Sequence, residues 1–82
     1  MPTIHLEAGF EVRVFLKDHE PPHVHVVKDK ATVVIDLGDQ DVRPSISRNY
    51  GMKAADVKKA LKIVAEHQGV FLQEWRKYHG QK

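Results

Sequence analysis

The sequence predicts an α+β domain: a three- to four-stranded antiparallel sheet followed by two C-terminal helices packed on one of its faces. Three observations support this. Apolar and polar residues alternate with period two through the first half of the chain. After residue 53 the period changes to that of a helix. The order is strands first and helices after, which places the helices together on one side of the sheet rather than between its strands. A chain of 82 residues has the length of one domain, expected to span residues 1–82.

Phe10-Glu11-Val12-Arg13-Val14-Phe15-Leu16-Lys17 reads as the first strand, with Phe10, Val12, Val14 and Leu16 inward. Phe15 falls on the outer face, which implies that this face too is partly covered. Pro21-Pro22 interrupts the ladder, because proline has no backbone N–H and holds the residue before it extended. The second strand is His23-Val24-His25-Val26-Val27, rich in β-branched residues. Lys28-Asp29-Lys30 suits a hairpin loop. Ala31 to Leu37 is more continuously apolar and is placed centrally. After the turn Gly38-Asp39-Gln40-Asp41, the segment Val42 to Ile46 would add a fourth strand, confined to an edge by Pro44. Val57, Ala60, Leu61 and Val64 then recur at i, i+3, i+4 and i+7, giving an amphipathic helix from about Lys53 to His67. Gly69 is expected to stop it as the residue after the C-cap. A second helix, about Val70 to His79, would bury Phe71, Trp75 and Tyr78 at the same spacing. Arg48, Asn49 and Tyr50 fall in a loop on this reading.

Composition excludes several classes of function. Hydrophobic residues are 41% and charged residues 29%, which argues against disorder. Thirteen Lys and Arg against eleven Asp and Glu leave a net charge of +2, too small for a polybasic binder, although a local basic patch is compatible with it. With no cysteine there is no disulfide scaffold, thiolate zinc site or thiol nucleophile. No apolar run approaches the ~18–20 residues needed to span a bilayer. The opening Met1-Pro2-Thr3-Ile4-His5 does not read as a secretory signal. A cytoplasmic protein with no membrane partner is the expectation.

Three of the six histidines, His19, His23 and His25, fall within seven residues. On a strand, side chains at i and i+2 share a face, so His23 and His25 point the same way and Val24 and Val26 the other. The stiff Pro21-Pro22 lead-in holds His19 and Glu20 near the mouth of that strand. One reading is acid–base chemistry on RNA without a metal. One imidazole takes the 2′-OH proton and another protonates the leaving 5′ oxygen, work suited to groups that titrate near neutrality. Arg13, Lys17, Lys28 and Lys30 are candidate cations for the phosphorane charge. A second reading is a divalent metal such as zinc, bound by the His-x-His pair with His19, Glu20 or Asp36 completing the shell. A third is a contact surface for another protein. Against all three stands the plain alternative of surface histidines, hydrogen-bonded locally or wet. Lys58, Lys59 and Lys62 form a basic helix face best explained by solvation.

The string Asp18-His19-Glu20-Pro21-Pro22-His23-Val24-His25-Val26, with its His-x-Pro-Pro-His-x-His core, resembles the hallmark of a family of small bacterial proteins catalogued as domain of unknown function 4160. The Met1-Pro2-Thr3-Ile4 opening and the ending Leu72-Gln73-Glu74-Trp75-Arg76-Lys77-Tyr78-His79-Gly80 extend the resemblance over nearly the whole chain. Members are short stand-alone proteins, often encoded beside a second small protein in a layout like that of toxin–antitoxin pairs. The resemblance therefore implies a small partner protein encoded nearby and, through that layout, an RNA-directed activity. The chain departs from the family at the first helix. Similar sequences are expected to carry Ser or Thr at its cap, three residues before an acidic one. Here Lys53 takes the cap and Asp56 keeps the acidic position, at a cost of ~0.5–1 kcal/mol.

The expectation is a toxin–antitoxin-type component that acts on RNA and works with a partner protein. His23, His25 and His19 are its catalytic candidates; Arg13, Lys17 and Glu20 are its binding candidates; no cofactor is required. The alternative is a non-enzymatic module that binds protein or a divalent metal through the same histidine strand. An edge strand at Val42 to Ile46 would also permit homodimerisation.

Overall fold

The structure, a computed structural model, describes residues 3–15 and 20–79. Five antiparallel strands run in sequence order across one sheet: β1 (Thr3–Glu7), β2 (Phe10–Arg13), β3 (His23–Lys28), β4 (Ala31–Asp36) and β5 (Ser45–Tyr50). Two helices follow, α1 (Ala54–Glu66) and α2 (Gln68–Tyr78). The class and element order match the expectation, but the sheet has five strands rather than three or four.

The additional strand is β1, joined to β2 through Ala8-Gly9 with both residues at positive φ (51° and 83°). Positive φ at both central residues is the geometry of a tight hairpin turn. The fourth predicted strand also moves. Val42 forms an isolated bridge with Asp39, and the ladder begins only after Pro44, so Arg48, Asn49 and Tyr50 lie in β5 rather than in a loop. Gly69 does not stop α1; it is the second residue of α2. The break falls at His67, which is both the C-cap of α1 and the N-cap of α2. As expected from the sequence, Lys53 caps α1 without a side-chain hydrogen bond. Asp56 instead pairs with Lys28 of β3 at 3.4 Å.

The core lies between one face of the sheet and both helices. Val12, Val14, Val24, Val26, Val33, Ile35 and Leu37 are completely covered on the sheet side. Ala60, Ile63 and Val64 of α1 meet them, with Phe71, Leu72 and Trp75 of α2. Burying each valine contributes ~1.5–3 kcal/mol relative to an exposed one. Tyr78 does not join Phe71 and Trp75 in this core; it is 37% exposed. Leu16, assigned inward from the sequence, lies outside the described residues.

Two devices fix the loop between β4 and β5. Gly38 adopts φ 68°, and a Cβ there would sit 2.2 Å from the Val42 carbonyl oxygen. The Gln68 side-chain amide, at the start of α2, donates to the carbonyls of Leu37, Asp39 and Val42 at 2.7, 2.8 and 2.9 Å. A second amide clasp joins β5 to the lead-in of α1. Asn49 Oδ1 accepts from Met52 N at 2.8 Å, and Asn49 Nδ2 donates to the Met52 carbonyl at 3.0 Å.

Candidate functional site

Because the helices cover one face of the sheet, side chains of opposite parity along β2 to β5 form a second, open face. Cross-strand partners share a face, so the register Arg13↔His25↔Val34↔Arg48 defines one row across it. The neighbouring row holds His23, Asp36 and Ser45. His23 and His25 are therefore on the same side, half-buried, while Val24 and Val26 between and beyond them are sealed in the core.

The two imidazole centroids are 5.3 Å apart, with planes inclined at 60°. Local contacts orient both rings. His23 Nδ1 lies 2.9 Å from the Pro21 carbonyl oxygen. Since a carbonyl only accepts, this bond puts the proton on Nδ1 and the lone pair of the neutral ring on Nε2. His25 stacks on Phe15, the aromatic that the alternation had placed on this outer face. The Glu20–Pro21 peptide leading into the strand is cis.

Arg13 is next to His25 but is already engaged. Its Nε and Nη2 grip the Glu11 carboxylate at 2.8 and 2.9 Å, and Thr3 Oγ1 donates to the same carboxylate. The Arg13 fork is the principal cause that lowers the Glu11 pKa from 4.5 to about 2, with Thr3 adding to it and burial opposing. The guanidinium is held more firmly protonated in return, again chiefly by the bond to Glu11. Arg48, at the far end of the same row, is exposed. It was missed as a member of this face because β5 was not recognised across residues 47–50. Of the other predicted binding residues, Glu20 is exposed at the mouth of β3. His19 and Lys17 lie outside the described residues.

A different cluster escaped the sequence reading. On the helix side of the sheet edge, His5 Nε2 and His67 Nε2 both approach Glu7 Oε1, at 2.8 and 3.3 Å. The bond to His5 is the main reason the Glu7 carboxyl is held below its ordinary range. His5 and Glu7 have the same i, i+2 spacing that drew attention to His23 and His25. With β1 unassigned, that spacing carried no geometric meaning, and His67 joins it only through the tertiary fold.

Among the described residues no helix is long and apolar enough to cross a membrane. The chain belongs to the family described as "Domain of unknown function (DUF4160)", which matches residues 9–76. No curated protein and no solved structure matches it.

Proposed function

We propose that the open face binds RNA and that His23 and His25 cleave it by transesterification, as the RNA-directed half of a toxin–antitoxin-type pair. The observation that carries this reading is the placement of two imidazoles 5.3 Å apart on one accessible side of a strand. In the reaction, the 2′ oxygen attacks the adjacent phosphorus and the bond to the 5′ oxygen breaks, leaving a 2′,3′-cyclic phosphate and a 5′-hydroxyl. His23, with its lone pair on Nε2, accepts the 2′-OH proton. His25, protonated and held against Phe15, supplies the proton to the 5′ oxygen. Arg48, in the row of His25, attracts the phosphate. Phe15 and Tyr50 provide aromatic surface for unstacked bases.

The test is incubation of labelled single-stranded RNA with the protein, with and without EDTA. Cleavage that survives EDTA and falls ~10²–10⁴-fold in both His23→Ala and His25→Ala, with both variants still folded at the assay temperature, supports the reading. Intact RNA at excess protein, or cleavage undiminished in both variants, overturns it.

The exposed edge favours a second reading, a binding module for another protein. Every residue of β5 is exposed, with Ile46 and Tyr50 among them, and among the described residues only one of its edges is paired, with β4. An open edge of this kind accepts a strand from another chain, whether a small partner protein or a second copy. Stoichiometric co-purification of one partner, weakened by Ile46→Lys, supports this reading. A chain that stays monomeric and alone at native expression levels sinks it.

A further inference from the structure

The geometry points to a divalent transition-metal site, best matched to zinc, formed by His5 Nε2, Glu7 Oε1 and His67 Nε2 where the sheet edge meets the elbow between the two helices. It is separate from the His23–His25 face and does not depend on the RNA reading.

The three ligand atoms lie within 4.8 Å of one another, with the two pairs to Glu7 at 2.8 and 3.3 Å. Zinc bonds of 2.0–2.2 Å place tetrahedral ligand atoms ~3.3–3.5 Å apart. Small side-chain rotations therefore suffice to seat the ion, and two imidazoles with one carboxylate are a donor set that zinc accepts. Each Nε2 now points its hydrogen at Glu7. The ion replaces those two hydrogens, and each ring then carries its proton on Nδ1.

Packing limits how far the rings can move. The His5 and His67 centroids are 4.4 Å apart. Both rings rest on Phe71, at 5.4 and 5.5 Å, and Phe71 is itself buried. The side chains of His5, Glu7 and His67 are 24, 40 and 34% exposed. Solvent therefore reaches the site, and the fourth position is available to water, the arrangement of an open rather than a closed zinc centre. The Glu7 carboxylate supplies the negative charge that two imidazole ligands lack. His5 and Glu7 precede the segment matched by the family, which begins at residue 9. The site thus depends on the N-terminal strand of this chain.

Titration of zinc into the full chain against a chromophoric chelator, near neutral pH, tests the assignment. The expected result is one ion per chain, with affinity reduced more than ~10-fold in Glu7→Gln and in His67→Ala and retained in the His23→Ala/His25→Ala double variant. Cobalt(II) added to the unaltered chain gives a reading that no variant's folding can confound, and a tetrahedral d–d spectrum is expected. Absence of saturable zinc uptake, uptake that survives both Glu7→Gln and His67→Ala, or uptake lost in the double variant overturns the proposal.

Discussion

Phe15 lies flat on His25, ring centroids 3.9 Å apart and planes 22° from parallel. The contact reaches beyond the open face. The Phe15 carbonyl oxygen faces His79 Nε2 at 2.9 Å, and His79 stacks on the buried Trp75 at 3.9 Å. The end of α2 therefore anchors the backbone of the residue whose ring positions His25. One side of that imidazole is occupied by carbon, so it can meet a reactant only at its edge or from its other side.

Phe15→Leu keeps apolar bulk but removes the stacked ring. It is expected to cost ~0.5–1.5 kcal/mol of stability, the usual worth of such a pair beyond its buried area. The ring protons of His25 should also move downfield as the Phe15 ring current disappears, which a proton–carbon NMR spectrum would reveal. Unchanged His25 resonances would count against the stack.

Gln68→Ala should destabilise by ~1–2 kcal/mol, because one amide nitrogen serves three carbonyl oxygens of the β4–β5 loop. Gln68→Glu is the sharper comparison. It has nearly the same shape but aims carboxylate oxygen at acceptors that cannot donate, so it should be less stable than the alanine variant at neutral pH. Urea denaturation of the three proteins gives the ranking, and a Glu variant at least as stable as Ala would contradict the bonding described.

These elements also account for what the sequence could and could not reveal. β3 was readable because each alternate residue meets a different environment, with Val24 and Val26 sealed in and His23 and His25 half-open. β5 lacks that contrast. As an edge strand exposed along its whole length, Ser45-Ile46-Ser47-Arg48-Asn49-Tyr50 has no buried parity to leave a pattern, and with it Arg48 was lost from the face. β1 was hidden by its turn, since Ala8 takes a positive φ usually given to Asn, Asp or Gly. The His23–His25 pair needed only strand geometry to be inferred, whereas the His5–Glu7–His67 group required a contact across 60 residues.

Gly38→Ala meets two penalties together. The residue would take a left-handed φ of 68° and set its Cβ 2.2 Å from the Val42 carbonyl oxygen. Strain at such a position is on the order of 1–3 kcal/mol before any displacement of the loop. The loop must then move away from Gln68, so Gly38→Ala and Gln68→Ala should be non-additive in a double-mutant cycle. Additive losses would show that the turn and the amide clasp are independent.

Trp75 is 3% exposed, yet its Nε1 has no hydrogen-bond partner among the described residues. A buried unmatched donor costs ~1–3 kcal/mol. Trp75→Phe gives up some packing but removes that cost, so its net loss should be small beside the ~3–5 kcal/mol of Trp75→Ala. Equal losses in the two variants, measured by circular dichroism melts, would mean that the indole N–H is satisfied in solution.

The Glu11–Arg13 fork predicts a specific pH dependence. Because the folded protein holds the Glu11 carboxyl at about 2 against an ordinary 4.5, the folded state favours its ionised form. Its stabilising contribution is fully present above 4.5 and is lost as the pH falls from there toward 2. Glu11→Gln carries no such group, so the stability gap between wild type and variant should be constant at neutral pH, narrow below 4.5 and close near 2. Urea midpoints for both proteins across that range provide the comparison. A gap that stays constant to pH 2 would mean that Arg13 and Thr3 do not hold the carboxylate in solution, and that the Arg13 guanidinium is available to bind an anion beside His25.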